Sequence, residues 1–423
     1  MKRRLPVPAG VVCAGIAAVL LVAPCAARSA GAPATGALQA RIDAAPAGTT
    51  LTLAAGTYAG PVVLRRPLAV QGDGVAIIDG GGAGSVVTVD APDVVLRGLL
   101  VRNSGTDLSQ EDSGIYVTEA GDRVRIEENR LEGNLIGIDL KGPETAVVRG
   151  NSIHGRTDLR INERGDGVHM WNTPGSVIVD NRISGGRDGI FVTTSTGNRF
   201  SGNHIAGVRF AVHYMYTNDS EVSDNVSRGN HVGYALMYSA NLVVRGNRSQ
   251  GDRDHGLMLH FANYSTIERN VVAPGPHKCT FVYNANGNII RDNVFRGCDI
   301  GIHHTAGSAD NAISGNAFIG SRDQVKYVGS RLLEWSVATD HGQRGNYWSD
   351  ALTFDLDGDG IGERPYRPNT LGDTLIWRYP VARLLLNTPA WHLLAWAQRN
   401  FPALHPGGVI DSAPLLVPPA SGS

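Results

Sequence analysis

Asparagine recurs down the middle of this chain at a nearly constant interval, and that interval restricts the fold more than any other feature. Gly202-Asn203, Asp224-Asn225 and Gly246-Asn247 open three cycles whose asparagines lie 22 residues apart. Each is followed by a strand-like run: Ala211 to Met215, Gly233 to Met237, Gly256 to His260. A period near 22 is too long for a heptad or hairpin and too short for a domain, which makes each cycle one coil of a solenoid. The same register holds Asn129, Asn151 and Asn181 before this stretch and Asn270, Asn293 and Asn316 after it, with steps of 22, 30, 22, 22, 22, 23, 23 and 23. The long step contains Arg156 to Gly165, read as a loop inserted in one coil. Leucine-rich repeats share such lengths but need an L-x-x-L-x-L frame that is missing here, and β-branched residues with glycine favour strands. The expected fold is all-β: a right-handed parallel β-helix of about 22–23 residues per coil. The asparagine itself has a structural explanation, since at a turn it tolerates left-handed backbone angles and bonds to its equivalent one coil away.

A chain of 423 residues exceeds the usual size of a single core, but a solenoid escapes that limit because each coil touches only its neighbours. The formal charge of −1 gives no field to attract nucleic acid. Residues 1–27 have the three parts of a secretory signal peptide: Lys2 to Arg4, an apolar run from Val11 to Val22, then small residues. The run Leu21 to Cys25 resembles a lipoprotein box, except that Pro24 stands where a small residue is expected. Export leaves Cys279 and Cys298, 19 residues apart. A disulfide suits an oxidising compartment, although their offsets from the local strands differ; soft metal ligation is the rival role. Leu38 to Ala44 has helical spacing and is placed as a short cap on a β-helix over residues 36–335.

Counting from the small residue that leads each strand, positions one and three are apolar from Ile115 and Val117 to Leu257 and Leu259, for example Ile190 and Val192, Val212 and Tyr214, Tyr234 and Leu236. Strand side chains alternate, so these point into the coil and positions two and four point out. The outward set reads Asp139 and Lys141, His169 and Trp171, Phe191 and Thr193, His213 and Met215, Ala235 and Met237, Met258 and His260, Val282 and Asn284, His303 and Thr305. Thioether sulfur and neutral imidazole are ligands for a soft ion such as copper(I), and flexible methionine can close around an ion without a rigid cage. Met215, Met237, Met258, His213, His260, His169 and His303 are therefore copper candidates, with partner docking and simple packing as the competing roles. Glycosidic hydrolysis needs two carboxyl groups flanking one bond, and the outward columns contain Asp139 alone. No Gly-x-Ser-x-Gly elbow, Ser-His-Asp spacing or phosphate loop is present.

Residues 336–423 are read as an extension. Asp355, Asp357 and Asp359 with Gly360 match the first half of a calcium loop, but Tyr366 stands where the closing glutamate belongs, so calcium and a bare Asp-Gly turn both fit. Thr388-Pro389 signals a helix start, and Trp391 to Arg399 supplies an apolar stripe that caps the solenoid or docks to a membrane partner.

The blocks Leu159 to Asn172, Gly345 to Asp350, the Asp-rich turn and Trp377-Arg-Tyr-Pro380 through Asp411-Ser-Ala-Pro414 resemble the NosD family, β-helix accessory proteins of nitrous-oxide reductase maturation in the periplasm. The likeness covers nearly all of the exported chain. It implies a non-enzymatic role beside an ABC transporter made of a membrane subunit and an ATPase. A copper-carrying lipoprotein would deliver the ion and the apo nitrous-oxide reductase would receive it. It fixes no ligands, so the His/Met assignment rests on strand phase. The other readings are a polyuronate epimerase or lyase, although the Asp-Pro-His-Asp run of similar mannuronan epimerases is missing, and a metal-free scaffold for reductase assembly.

Overall fold

The computed structural model describes residues 37–340, 342–401 and 407–419; the signal peptide and the lipoprotein-like run lie outside them. Twelve parallel strands, from Val62–Leu64 to Asp323–Lys326, form one continuous wall, and a second set of short strands forms the remaining walls. Pairing follows the repeat: Ile190 faces Val212 and Val212 faces Tyr234, so each step along the sheet is one coil. The result is the expected right-handed parallel β-helix. Its interior is apolar, with Ile115, Ile138, Val168, Ile190, Val212 and Leu257 among the buried core residues. Across the 30-residue step Ile138 still pairs with Val168, because Arg156–Gly165 leaves the coil and returns without shifting the register. That loop carries an Arg156–Asp158 ion pair and a short 3-10 turn, Ile161–Glu163.

The repeated asparagine forms a ladder through one corner. Asn203 donates from its backbone N–H (3.0 Å) and its Nδ2 (2.9 Å) to Oδ1 of Asn225, and Asn225 does the same to Asn247 at 3.1 and 3.0 Å. A second hydrogen on each Nδ2 reaches a carbonyl of the preceding coil, as from Asn225 to Phe200. All three asparagines are fully buried, and a primary amide suits the position because it can accept and donate twice at once. The left-handed backbone falls one residue earlier than the sequence suggests: Gly202, Asp224 and Gly246 have φ of 66°, 56° and 65°. This explains the Gly-Asn and Asp-Asn pairs, since glycine and aspartate are the residues that adopt this conformation at least cost.

Helix α1 (Ala37–Ala44) closes one end and buries Leu38 and Ile42. At the other end the ladder runs into the extension. Asn316 bonds to Oδ1 of Asn346, and Asn346 donates its N–H to Oδ2 of Asp411 at 2.7 Å. Asp411, wholly buried, also accepts from Trp348 Nε1 at 2.7 Å, and it stands where the next asparagine would be. The Gly345–Asp350 and Asp411–Pro414 blocks are thus the terminal rung. Helices α2 (Leu371–Arg378) and α3 (Pro389–Asn400) follow the Asp-rich turn, with the Thr388 hydroxyl capping α3. Cys279 and Cys298 form a disulfide, with Cα atoms 5.6 Å apart, so neither thiol is available to a metal. Their unequal offsets are no obstacle: Cys279 fills the small leading position of its strand and Cys298 lies in the turn before the next one.

Candidate metal-binding wall

The twelve-stranded wall turns two columns of side chains outward. One runs Asp139, His169, Phe191, His213, Ala235, Met258, Phe281, His303; the other runs Lys141, Trp171, Thr193, Met215, Met237, His260, Tyr283. Met170, at an inward position, is fully buried, whereas Met215, Met237, Met258, His260 and His303 are each partly exposed. One coil departs from the expected phase. Cys279, not Thr280, takes the leading position, so Val282 is buried and Phe281 and Tyr283 face out in place of Val282 and Asn284.

The structure sorts the candidate ligands into groups. Met215, Met237 and His260 are consecutive in one column; His213 and Met258 flank Ala235 in the other. Between the imidazole and the thioether stands only a methyl group, fully buried, with Met237 two residues on along the same strand. His213 is held in one orientation: its Nδ1 lies 3.0 Å from Oδ2 of Asp188, which also binds Arg209. This leaves Nε2 as the free donor, and a carboxylate on the opposite nitrogen is the usual way a metal-binding imidazole is oriented. Burial lowers the His260 pKa, which keeps that ring neutral. His169 and His303 stand apart. Phe191 separates His169 from His213, stacking on the first at 5.3 Å and the second at 4.7 Å, and Phe281 separates Met258 from His303. Burial, then the charges of Lys326 and Lys278, push His303 down to about 3; burial takes inward-facing His304 to about 4.

Two features escape the two-column reading. The residue after each column member turns outward in three successive coils: Tyr216, Tyr238 and Phe261 stack at 5.2 Å spacing, each with φ near 50°. The same conformation recurs at Asn172, Thr194 and Asn284, so the turn belongs to the coil, and what is particular to these three coils is the aromatic side chain on it. The sequence signal was present, since Met215-Tyr216, Met237-Tyr238 and His260-Phe261 repeat an aromatic at one offset. The wall is also richer in carboxylates than Asp139 alone. Asp166 and Asp188 come from the residue before the leading glycine, and Glu111 comes from a turn. Asp139 is itself wholly buried. In the extension, Asp355, Asp357 and Asp359 converge within 4.8 Å, but the Asp355 carboxylate accepts the N–H groups of Gly358 and Gly360 and Asp359 accepts that of Ile361. These bonds are those of a self-braced Asp-Gly turn.

Comparison with known proteins places this wall in context. A family described as "Periplasmic copper-binding protein (NosD)" matches residues 149–352. A Pseudomonas aeruginosa protein called "Probable ABC transporter binding protein NosD" is 47% identical over 383 residues, covering 88% of this chain and 89% of its own length. Its Stutzerimonas stutzeri counterpart is 44% identical over 378 residues, 86% of each chain. Among solved structures, a PL6 alginate lyase bound to a trisaccharide superposes with a TM-score of 0.56 at 13% identity, over 69% of this chain and 81% of its own. The pneumococcal adhesin PfbA gives 0.57 at 10%, over 74% and 91%. At such identities these two share the fold alone.

Proposed function

The chain belongs to the NosD family of periplasmic copper-binding proteins, and from that premise we propose that its outward wall holds copper(I) in transit to nitrous-oxide reductase. The observation that carries this reading is the cluster around the small residue Ala235: His213 and Met258 flank it in its own column and Met215, Met237 and His260 are consecutive in the next. Five thioether and imidazole side chains from three neighbouring coils fit a soft ion, and no carboxylate lies in these stretches of the two columns to favour a hard one. His260 and the His213 ring that Asp188 orients supply nitrogen, and the methionines supply sulfur that can rearrange as the ion enters and leaves. Partial exposure suits a relay, because an ion sealed in a core could not be passed on.

The partners follow from the same surface. The aromatic stack Tyr216, Tyr238 and Phe261 borders the thioether column and gives a copper-carrying lipoprotein, and then the apo-reductase, an apolar shoulder to dock on. The names of the relatives point to an ABC transporter. We place its membrane subunit, coupled to its ATPase, on the extension, where Leu352, Leu356, Val381, Leu384 and Leu393 are all more than 60% exposed. Among the described residues no helix is long and apolar enough to cross a membrane, so attachment would run through that partner. Anaerobic titration of copper(I) against a competing chelator tests the reading. The wild-type chain should withdraw copper and the Met215→Ala/Met237→Ala/Met258→Ala variant should not. Equal competition by both would leave a metal-free scaffold as the better account.

A further inference from the structure

The same wall carries a second constellation, of opposite chemical character, whose His169 and Asp139 lie three and four coils before Ala235. Asp139 is wholly buried, yet neither of its carboxylate oxygens accepts a hydrogen bond. His169 Nδ1 lies 3.0 Å from Asp139 Oδ1 and is likewise without an aligned hydrogen bond. The two atoms are within contact distance but out of line for a hydrogen bond. Glu111 completes the group, and the three donor atoms lie within 4.8 Å of one another. The one cation at hand, Lys141, binds Glu111 at 2.6 Å and remains 3.9 Å from Asp139. Two carboxylates therefore share one ammonium, and the buried one has the poorer part of it. A buried carboxylate without a bonded partner is costly and calls for an explanation in function.

We infer that Glu111, Asp139 and His169 form a binding site for a divalent cation of the zinc(II) class, separate from the thioether wall. Two oxygens and one imidazole nitrogen are a borderline-to-hard donor set, unsuited to copper(I) and suited to zinc(II) or its substitutes. The spacing is close to what the ion needs: tetrahedral ligands at about 2.0–2.2 Å from zinc(II) are about 3.3–3.6 Å apart, so His169 Nδ1 and Asp139 Oδ1, now 3.0 Å apart, need separate by only a few tenths of an ångström. Glu111 sits on a turn with its side chain partly in solvent, so it can swing inward as the ion arrives. Lys141 is the stand-in charge that the ion displaces. Phe191 walls off His169 from His213, which keeps this site and the soft one apart.

Cobalt(II), which takes zinc sites and has visible absorption there, reports on the site without any assay of copper transfer. The full exported chain, stripped with a chelator, should bind one equivalent with visible bands, and zinc(II) should displace it. Asp139→Asn should weaken cobalt(II) binding about a hundredfold, while Lys141→Met, which removes the competing ammonium, should strengthen it several-fold. Should Asp139→Asn fail to fold by circular dichroism, Glu111→Gln, at the exposed ligand, serves instead with an expected loss of about tenfold. The Met215/Met237/Met258 triple alanine variant should bind cobalt(II) as the wild type does, so loss of copper(I) and loss of cobalt(II) are separable results. Absent bands, binding that survives Asp139→Asn or Glu111→Gln, binding not strengthened by Lys141→Met, or loss in the methionine variant would each overturn the site.

Discussion

The asparagine ladder and the outward wall are made by the same stacking of coils, but they use it in opposite ways. Along the ladder from Asn129 to Asn316 every rung is the same residue with the same kind of bonds, so its chemistry is consumed by the neighbouring coils. Along the wall the residue changes at nearly every step, from carboxylate to imidazole, phenyl, methyl and thioether. In a solenoid, repetition of a polar side chain is a sign of structure. Departure from repetition, at positions that alternation aims outward, is where function is found.

If the ladder is purely structural, breaking a rung should harm folding and leave copper binding alone. Asn225→Ala removes the acceptor for two donors of Asn203 and the donors to Phe200 and Asn247, stranding buried polar groups at about 1–3 kcal/mol each. We expect a loss of roughly 3–5 kcal/mol, seen as a lower denaturation midpoint and faster hydrogen exchange in the flanking coils, with copper(I) affinity in the surviving folded protein unchanged. The wall should behave in the reverse manner. The triple methionine variant should lose about a hundredfold in copper(I) affinity, roughly 2.7 kcal/mol, by chelator competition, with a melting temperature near that of the wild type.

A subtler change sharpens the contrast, because it adds atoms and removes no ligand. Ala235 is fully buried between His213 and Met258, so Ala235→Leu pushes those two side chains apart and should weaken copper(I) by about tenfold, roughly 1.4 kcal/mol, in the same competition. Copper binding that ignores this residue would relocate the ion. The smallest effect is on pH dependence. His303 and His304 titrate at about 3 and about 4 in the folded chain, below the ordinary imidazole value of about 6.5. On acidification the unfolded chain takes up these protons first, so their contribution to stability is intact above pH 6.5 and shrinks as pH falls toward 4. Imidazole resonances followed by NMR should show both rings neutral at pH 5, and the melting temperature should decline over that window; a His304→Phe variant should decline less.

Much of this molecule was legible in its residues because solenoid periodicity is a local property. The 22-residue step, the alternation of strand side chains and the Thr388-Pro389 helix start each depend on neighbours in the chain or one coil away. They gave the β-helix, the inward core and the outward placement of Met215, Met237, Met258 and His260. The reading slipped where one residue changes the phase, at Cys279, since a slip of one exchanges the two faces of a strand. Other features depend on residues brought together from different offsets: Asp188 against His213, Glu111 beside Asp139, Asp411 beneath Asn346. The first two pairs join different repeat positions and the third spans 65 residues, so no 22- or 23-residue period could pair them. The sequence by itself determined the coil and which way most of its side chains face. Only the tertiary structure decided which outward groups meet, how deeply Asp139 is buried and where the ladder ends, because contact and desolvation depend on the distance between coils and turns, not on order along the chain.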